Sequence, residues 1–194
     1  KINRKEFDMS PAFADKKGLK IYFSSSRQES VGIGRDPITG EKYMDLYVAE
    51  FDKNGDPTNV ETIDKDGVVN TSESEGSLCF DKKFKTMYFT RCPNKDKMML
   101  GCDIWKVSIV EGEFVDPIKL NLKQDEKESV GHPCLTTDGM KLIFASDMKS
   151  SGGDVSFGGR DLWYISYNKK AKTWDSIPKN MGPSYNTSGN ELFP

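Results

Sequence analysis

Histidine is almost absent from this sequence: His132 stands alone, and the four cysteines lack Cys-x-x-Cys spacing. Zinc sites built on two histidines or on paired cysteine knuckles are therefore excluded. Neither charge sign dominates, with 28 Lys and Arg against 30 Asp and Glu for a net charge of −2. The basic residues are scattered among acids, so the positive face that a nucleic-acid partner requires is missing. No apolar run approaches the roughly 18–20 residues of a membrane-crossing helix, and Lys1 does not open a signal peptide. No direct membrane span is expected, and any targeting signal is expected outside this chain. Catalytic signatures are missing as well. Gly153-Asp-Val-Ser156-Phe-Gly158 has the wrong spacing for a nucleophile elbow. Gly32-Ile-Gly34-Arg-Asp-Pro37 puts a proline where a dinucleotide fingerprint needs its third glycine. The acidic turns Asp52–Asp56 and Asp64–Gly67 do not continue to the twelfth-position acid of a calcium loop. The chain is thus expected not to be an enzyme and to carry no cofactor or metal.

What is present is glycine (17), proline (9) and 11% aromatic residues in a polar chain. That is too polar for a helical bundle and too aromatic for disorder, and it fits an all-β protein with many turns. The chain also repeats itself. Lys20-Ile-Tyr-Phe-Ser24, Thr86-Met-Tyr-Phe-Thr90 and Lys141-Leu-Ile-Phe-Ala145 are one phrase, each followed by Asp45-Leu-Tyr47, Asp103-Ile-Trp105 or Asp161-Leu-Trp163. The three aspartates are 58 residues apart, and Asn70-Thr-Ser and Asn186-Thr-Ser are separated by 116. Short strands repeating at this period predict an antiparallel β-propeller, one four-stranded sheet per repeat.

Within each unit a first strand near Pro11, Ser77 and Pro133 leads through a turn at Asp15–Gly18 into a second strand, Leu19–Ser24 in the first unit. Leu19, Ile21 and Phe23 alternate with Lys20, Tyr22 and Ser24, the period of a strand. The third strand places Asp45, Tyr47, Ala49 and Phe51 on one face, and the other units repeat that order. Turns at Asn54-Gly55 and Glu111-Gly112 lead to outer strands at Val60–Ile63, Phe114–Leu120 and Trp174–Ile177. The blades are placed at 10–76, 77–132 and 133–193, with 1–9 as the tail of a preceding blade and 194 as the start of a further one. Three blades do not close a ring, so a fragment of a five- or six-bladed ring is expected.

The phrases Pro11 to Arg27, Gly158-Gly-Arg-Asp-Leu-Trp163 and Asn186-Thr-Ser-Gly-Asn-Glu-Leu-Phe-Pro194 resemble the WD-like, TolB-type propeller repeats of Bacteroidetes envelope proteins. In that family the propeller sits between a tetratricopeptide domain and an OmpA-like peptidoglycan-binding domain. The resemblance implies a non-catalytic interaction scaffold, part of a peptidoglycan-linked outer-membrane lipoprotein of the type IX secretion system. It implies a periplasmic location and envelope or secretion-system proteins as partners, with the membrane and the peptidoglycan reached only through parts outside this chain. Two other roles stay open: a propeller that binds a glycan or peptide over its central channel, and the regulatory propeller of a hydrolase whose catalytic domain lies elsewhere. The second unit departs from the family pattern, with Ser77 in the place of proline, Phe84 in the place of the turn glycine, and Cys92–Cys102 where the others have a longer loop.

Recurrence decides how single residues are read. Asp45, Asp103 and Asp161 occur once per unit and are expected to accept backbone N–H bonds at strand starts. Tyr47, Trp105 and Trp163 are the repeat aromatics. Asn70 and Asn186 read as glycosylation sequons, but their repetition makes them connector residues first. Arg27 and Arg91 follow the second strand and are expected in salt bridges. Cys92 and Cys102 bracket a hairpin and are a candidate disulfide. Cys79 and Cys134, counted one residue out of phase, are expected to be reduced and to face different sides. The loops between second and third strands occupy one slot in each unit and are the expected interaction surface, with Arg27, Arg35, Lys97, Met99, Phe157 and Arg160 as candidate contacts.

Overall fold

The computed structural model describes residues 2–36, 39–64, 66–93 and 100–194. It contains strands and turns and, among the described residues, no helix. Strands β1 (Asp8–Phe13), β2 (Lys20–Ser25), β3 (Asp45–Phe51) and β4 (Pro57–Thr62) form a first antiparallel sheet in chain order. A second repeats that order with β5 (Ser74–Phe80), β6 (Thr86–Cys92), β7 (Asp103–Val110) and β8 (Glu113–Lys119). The third has β9 (Val130–Leu135), β10 (Lys141–Ser146) and β13 (Asp161–Asn168), edged by two short pieces, β14 (Thr173–Trp174) and β15 (Lys179–Asn180). A small hairpin of β11 (Ser150–Ser151) and β12 (Asp154–Val155) lies within the loop from β10 to β13.

The sheets pack face to face in sequence, with β5 against β1 and β2, and β9 against β5 and β6. Between the first two, Tyr22 and Leu46 meet Met87, Phe89 and Val107. Between the second and third, Tyr88 and Ile104 meet Leu142, Phe144, Trp163 and Ile165. The alternation read from the sequence therefore produces two apolar faces per sheet, both needed because the middle sheet is covered on both sides.

The first strands differ from expectation. The first sheet begins at Asp8, with Asp8 and Met9 pairing Ser25 and Ser24, so these residues lie in the sheet itself. Each first strand carries a bulge, between Met9 and Ala12, Gly76 and Leu78, and Gly131 and Cys134. At those bulges Ser10, Ser77 and His132 hold φ of 53°, 24° and 55°. Ser77 is thus the equivalent of Ser10 and His132, and Leu78, not Ser77, stands in the proline position. Correcting that slip of one residue brings Cys79 and Cys134 into phase, paired with Tyr88 and Ile143 at equivalent ladder positions. They share an environment at the carbonyl of Leu135, and both are free thiols, each half-buried. Burial pushes the Cys79 thiol up to about 12, so it stays protonated and unreactive.

The turn substitution in the second unit has a physical counterpart. Gly18 and Gly139 hold φ of 68° and 69°, and Phe84 adopts 56° in the same turn, its ring 5.8 Å from Phe80. Burying the ring offsets part of the cost of a left-handed non-glycine residue.

Candidate interaction surface

The loops after β2, β6 and β10 leave equivalent positions in the three sheets, and the bases of the first and third are built alike. Asp45 Oδ2 accepts the N–H of Val31 at 2.7 Å, and Asp161 Oδ2 accepts that of Phe157 at 2.7 Å, so each folds its loop back over its own strand. Asp103 differs, since its carboxylate is held by Lys123 at 3.2 Å and Lys119 at 3.6 Å. Asn70 takes the Leu46 N–H at 2.8 Å and returns its amide to the Leu46 carbonyl at 3.0 Å. Asn186 repeats both bonds on Leu162 at the same lengths. Both asparagines are buried, with their amides engaged, which leaves them as connector clamps and unavailable to a glycan.

Behind the loops lie two buried ion pairs. Arg27 meets Asp8 at 3.2 Å and donates to the carbonyl of Ile2 at 2.6 Å, with its guanidinium over Phe23 and Tyr47. Arg91 meets Glu75 at 2.8 Å and donates to the carbonyl of Val69 at 2.7 Å, over Phe89 and Trp105. The two arginines reach the same environment from different backbone positions, because Arg91 pairs with Asp103 in the ladder whereas Arg27 lies two residues beyond Ser25, the partner of Asp45. In the third sheet Val130 and Met148 fill the places of Asp8 and Arg27, packed with Phe144 and Trp163. Arg27 and Arg91 thus hold the loop bases and do not face outward.

Burial pushes Asp45 up to about 6 and, against the pull of Thr71 and Arg91, Glu75 up to about 7; Asp64 adds to the rise of Asp45, and Asp45 to that of Glu75. Both folded values exceed the unfolded ones, so this stabilising contribution is complete below about pH 4 and is lost as pH rises through 6 and 7. The urea midpoint is expected to be higher at pH 5 than at pH 8, by an amount on the order of 3–4 kcal/mol in unfolding free energy.

Cys92 and Cys102 are disulfide-bonded across the strand pair, with Cα atoms 4.1 Å apart. Closing so short a loop contributes about 2–3 kcal/mol in the chain-entropy model. The Cys92→Ser/Cys102→Ser variant is expected to unfold at lower denaturant by that amount, and added reductant should lower the midpoint of the wild type alone. Of the candidate contacts in this loop, Lys97 and Met99 lie outside the described residues.

The outward surface of the loops is apolar at several points. Val31 and Ile33 on the first loop are 58% and 75% exposed, Leu100 on the second 39%, and Val155 and Phe157 on the third 64% and 45%. Among them stand Arg35, which donates to the Gly40 carbonyl at 2.8 Å, and Arg160, which is 4.0 Å from Asp147. Arg35 and Phe157 are exposed and Arg160 is half-buried on the first and third of these loops, while Val31, Ile33, Leu100 and Val155 were not singled out. Their signal was apolar side chains inside polar, glycine-rich loops. A separate recess of about 510 Å³ opens at the opposite end, between the second and third sheets, lined by Tyr88, Tyr167, Trp174, Lys106 and Lys172.

No protein-family model matches the sequence, and no curated relative does. Solved structures do resemble the fold. A puromycin-hydrolyzing peptidase of Mycobacterium tuberculosis aligns over 94% of this chain and 24% of its own, at 13% identity and a TM-score of 0.55. A thermostable family-43 glycoside hydrolase aligns over 95% and 76%, at 11% identity and a TM-score of 0.46. A 6-phosphogluconolactonase of Bacteroides uniformis aligns over 93% and 72%, at 11% identity and a TM-score of 0.37. The chain spans about a quarter of the peptidase, and the likeness is one of fold, all-β and propeller-like. The peptidase match corrects the expectation that the chain is not an enzyme: a like fold occurs in a hydrolase, so a missing catalytic motif in this chain is no argument against catalysis.

Proposed function

We propose that the chain forms three blades of a five- or six-bladed β-propeller that docks partner proteins in the bacterial cell envelope. The observation that carries this reading is the rim of exposed apolar residues spread over three loops of one repeated slot, Val31, Ile33, Leu100, Val155 and Phe157. Loops that vary on a constant scaffold are where recognition resides, and exposed apolar side chains beside arginines suit a protein partner. The repeat phrases resemble those of OmpA-family lipoproteins of the type IX secretion system such as PorE, and that resemblance is what supports an envelope role. On that reading the propeller is periplasmic, and other domains hold the outer membrane and the peptidoglycan. The test is capture of envelope proteins by the immobilised chain. An Ile33→Asp/Phe157→Asp variant is expected to lose the captured protein while its unfolding midpoint is unchanged; equal capture by both would sink the proposal.

A second reading is supported by the peptidase match, in which a chain of this kind covers only 24% of the aligned protein. There the blades would flank a hydrolase domain and govern access to it. A Gly-x-Ser-x-Gly domain adjoining residue 1 or 194 would favour this reading, whereas tetratricopeptide repeats before and an OmpA-like domain after would favour the first.

A further inference from the structure

The wedge between the outer strands of neighbouring sheets occurs twice, and its two copies differ in chemistry. The ladders fix which residues correspond: Tyr22 pairs with Val48 and Tyr88 with Lys106, Tyr47 with Thr62 and Trp105 with Lys119, Ile109 with Phe114 and Tyr167 with Trp174. Between the first and second sheets the wedge encloses about 360 Å³, lined by Glu61, Asp64, Asp66 and Glu113 with no basic residue among those described. Tyr22 packs edge-on against Phe114, with ring centroids 6.4 Å apart. Between the second and third sheets it widens to the recess of about 510 Å³, where Lys106 takes the place of buried Val48, Lys119 that of Thr62, and Trp174 that of Phe114. Lys172 is the last residue before the outer strand, as Gly112 is in the second sheet, and it holds a left-handed φ of 57° that glycine adopts without steric cost. The wedge itself belongs to the repeat, but its lysines do not.

The second copy is equipped for a ligand. Tyr88 is 6% exposed and its hydroxyl accepts the indole N–H of Trp174 at 3.1 Å, yet its own proton has no acceptor among the described residues. Burial pushes that phenol up to about 12, so the proton stays in place to be donated. Lys106 is half-buried and Lys172 exposed, and neither has an ion-pair partner among the described residues, whereas Lys119 is held by Asp103 at 3.6 Å. Of the two acids at the recess, Asp81 Oδ1 accepts the N–H groups of Lys85 and Thr86 at 2.7 and 2.9 Å, and Asp175 stands exposed at the mouth. Trp174 and Tyr167, edge to face at 5.2 Å, supply an aromatic wall. Two uncommitted ammonium groups select an anion, and the aromatic wall selects a ligand with an apolar face. Among the described residues no arginine lines the recess to grip a phosphate in bidentate fashion, and lysines serve a single carboxylate as point charges. A sugar acid meets each demand, with a carboxylate for the lysines, a C–H face for the rings and oxygens to accept the Tyr88 proton.

We propose that the recess between the second and third sheets binds an acidic saccharide, its carboxylate taken by Lys106 and Lys172, its ring face laid on Trp174 and a ring or hydroxyl oxygen accepting from Tyr88. The inference is independent of the envelope role and of the apolar loop rim, since it rests on the contrast between two copies of one wedge.

The probe is digalacturonate, titrated into the full chain by calorimetry, with its methyl ester and acetate as comparisons. Saturable binding is expected, weakened about tenfold or more in the methyl ester, by Lys106→Val or by Lys172→Gly, the loss typical of a charge-assisted contact. Both substitutions restore the residues of the first wedge, and Lys172→Gly suits the left-handed backbone, so it should leave the unfolding midpoint no lower. Trp174→Phe should weaken binding severalfold through lost ring area, and Lys53→Gln, in an exposed turn of the first sheet, should leave it unchanged. Absence of binding at about 10 mM digalacturonate overturns the proposal, as does binding that is equal for the methyl ester or indifferent to Lys172→Gly. Acetate bound as tightly as the sugar acid also overturns it, by leaving only a simple anion site.

Discussion

Arg27→Ala is expected to destabilise the chain by about 3–5 kcal/mol, the range for breaking a buried ion pair from one side. The side chain is 1% exposed, and its loss strands the Asp8 carboxylate, frees the carbonyl of Ile2 and removes the cation from Phe23 and Tyr47. The sequence contains its own rescue. The third sheet solves the same packing problem with Val130 and Met148 in the places of Asp8 and Arg27. Asp8→Val and Arg27→Met are each expected to cost stability, since each leaves one buried group unmatched, while the double variant should recover most of the loss. A double-mutant cycle by urea unfolding checks this, and additive single and double effects would refute it. The cycle also asks why two sheets keep the charged version. An apolar pair is stabilising in many buried sites, so retention of the arginines points to their second bonds, to the carbonyls of Ile2 and Val69, which fix the connectors between sheets.

Much of this was legible in the chain because the repeat multiplies weak signals. The phrase around Ile21-Tyr-Phe located β2, β6 and β10, and Asp-x-aromatic located β3, β7 and β13, within a residue or two. Connector asparagines and salt-bridging arginines followed from recurrence alone. What was not legible was phase. A bulge adds residues without changing composition, so counting from the prolines set Ser77 in the wrong register and sent Cys79 and Cys134 to opposite faces. In the first two sheets the better ruler was the acid two residues before the left-handed position, in Asp8-x-Ser10 and Glu75-x-Ser77; the third has Val130 before His132 and carries no such mark. Outer strands were harder still. The third sheet's edge is split into β14 and β15, because two-residue pieces carry no alternation to read. The candidate interaction surface was half legible: the loops were assigned by slot, but their apolar tips sit in segments whose polar composition hid them.

Trp163→Ala carries the other large expected effect, a loss of about 3–5 kcal/mol. Its repeat partners define why. Tyr47 bonds through its hydroxyl with Ser30 at 3.1 Å and lies under Arg27, and Trp105 is half-buried under Arg91 at 4.4 Å. Trp163 is completely buried among Phe144, Met148, Leu142 and Ile165, with no cation over its ring among the described residues, so its worth is packing between the second and third sheets. Truncation opens a cavity that side chains anchored in two different sheets cannot collapse to fill. The same substitution at Trp105 removes less buried area, and the expected cost is correspondingly smaller. Trp163→Phe separates shape from polarity. The indole Nε1 is buried without a partner among the described residues, so removing that N–H relieves a desolvation penalty even as ring volume is lost. Trp163→Phe is therefore expected to cost well under half of Trp163→Ala in urea unfolding. Equal losses for the two would mean that the indole N–H is satisfied in solution by a bound water, and that polarity as well as packing holds the two sheets together.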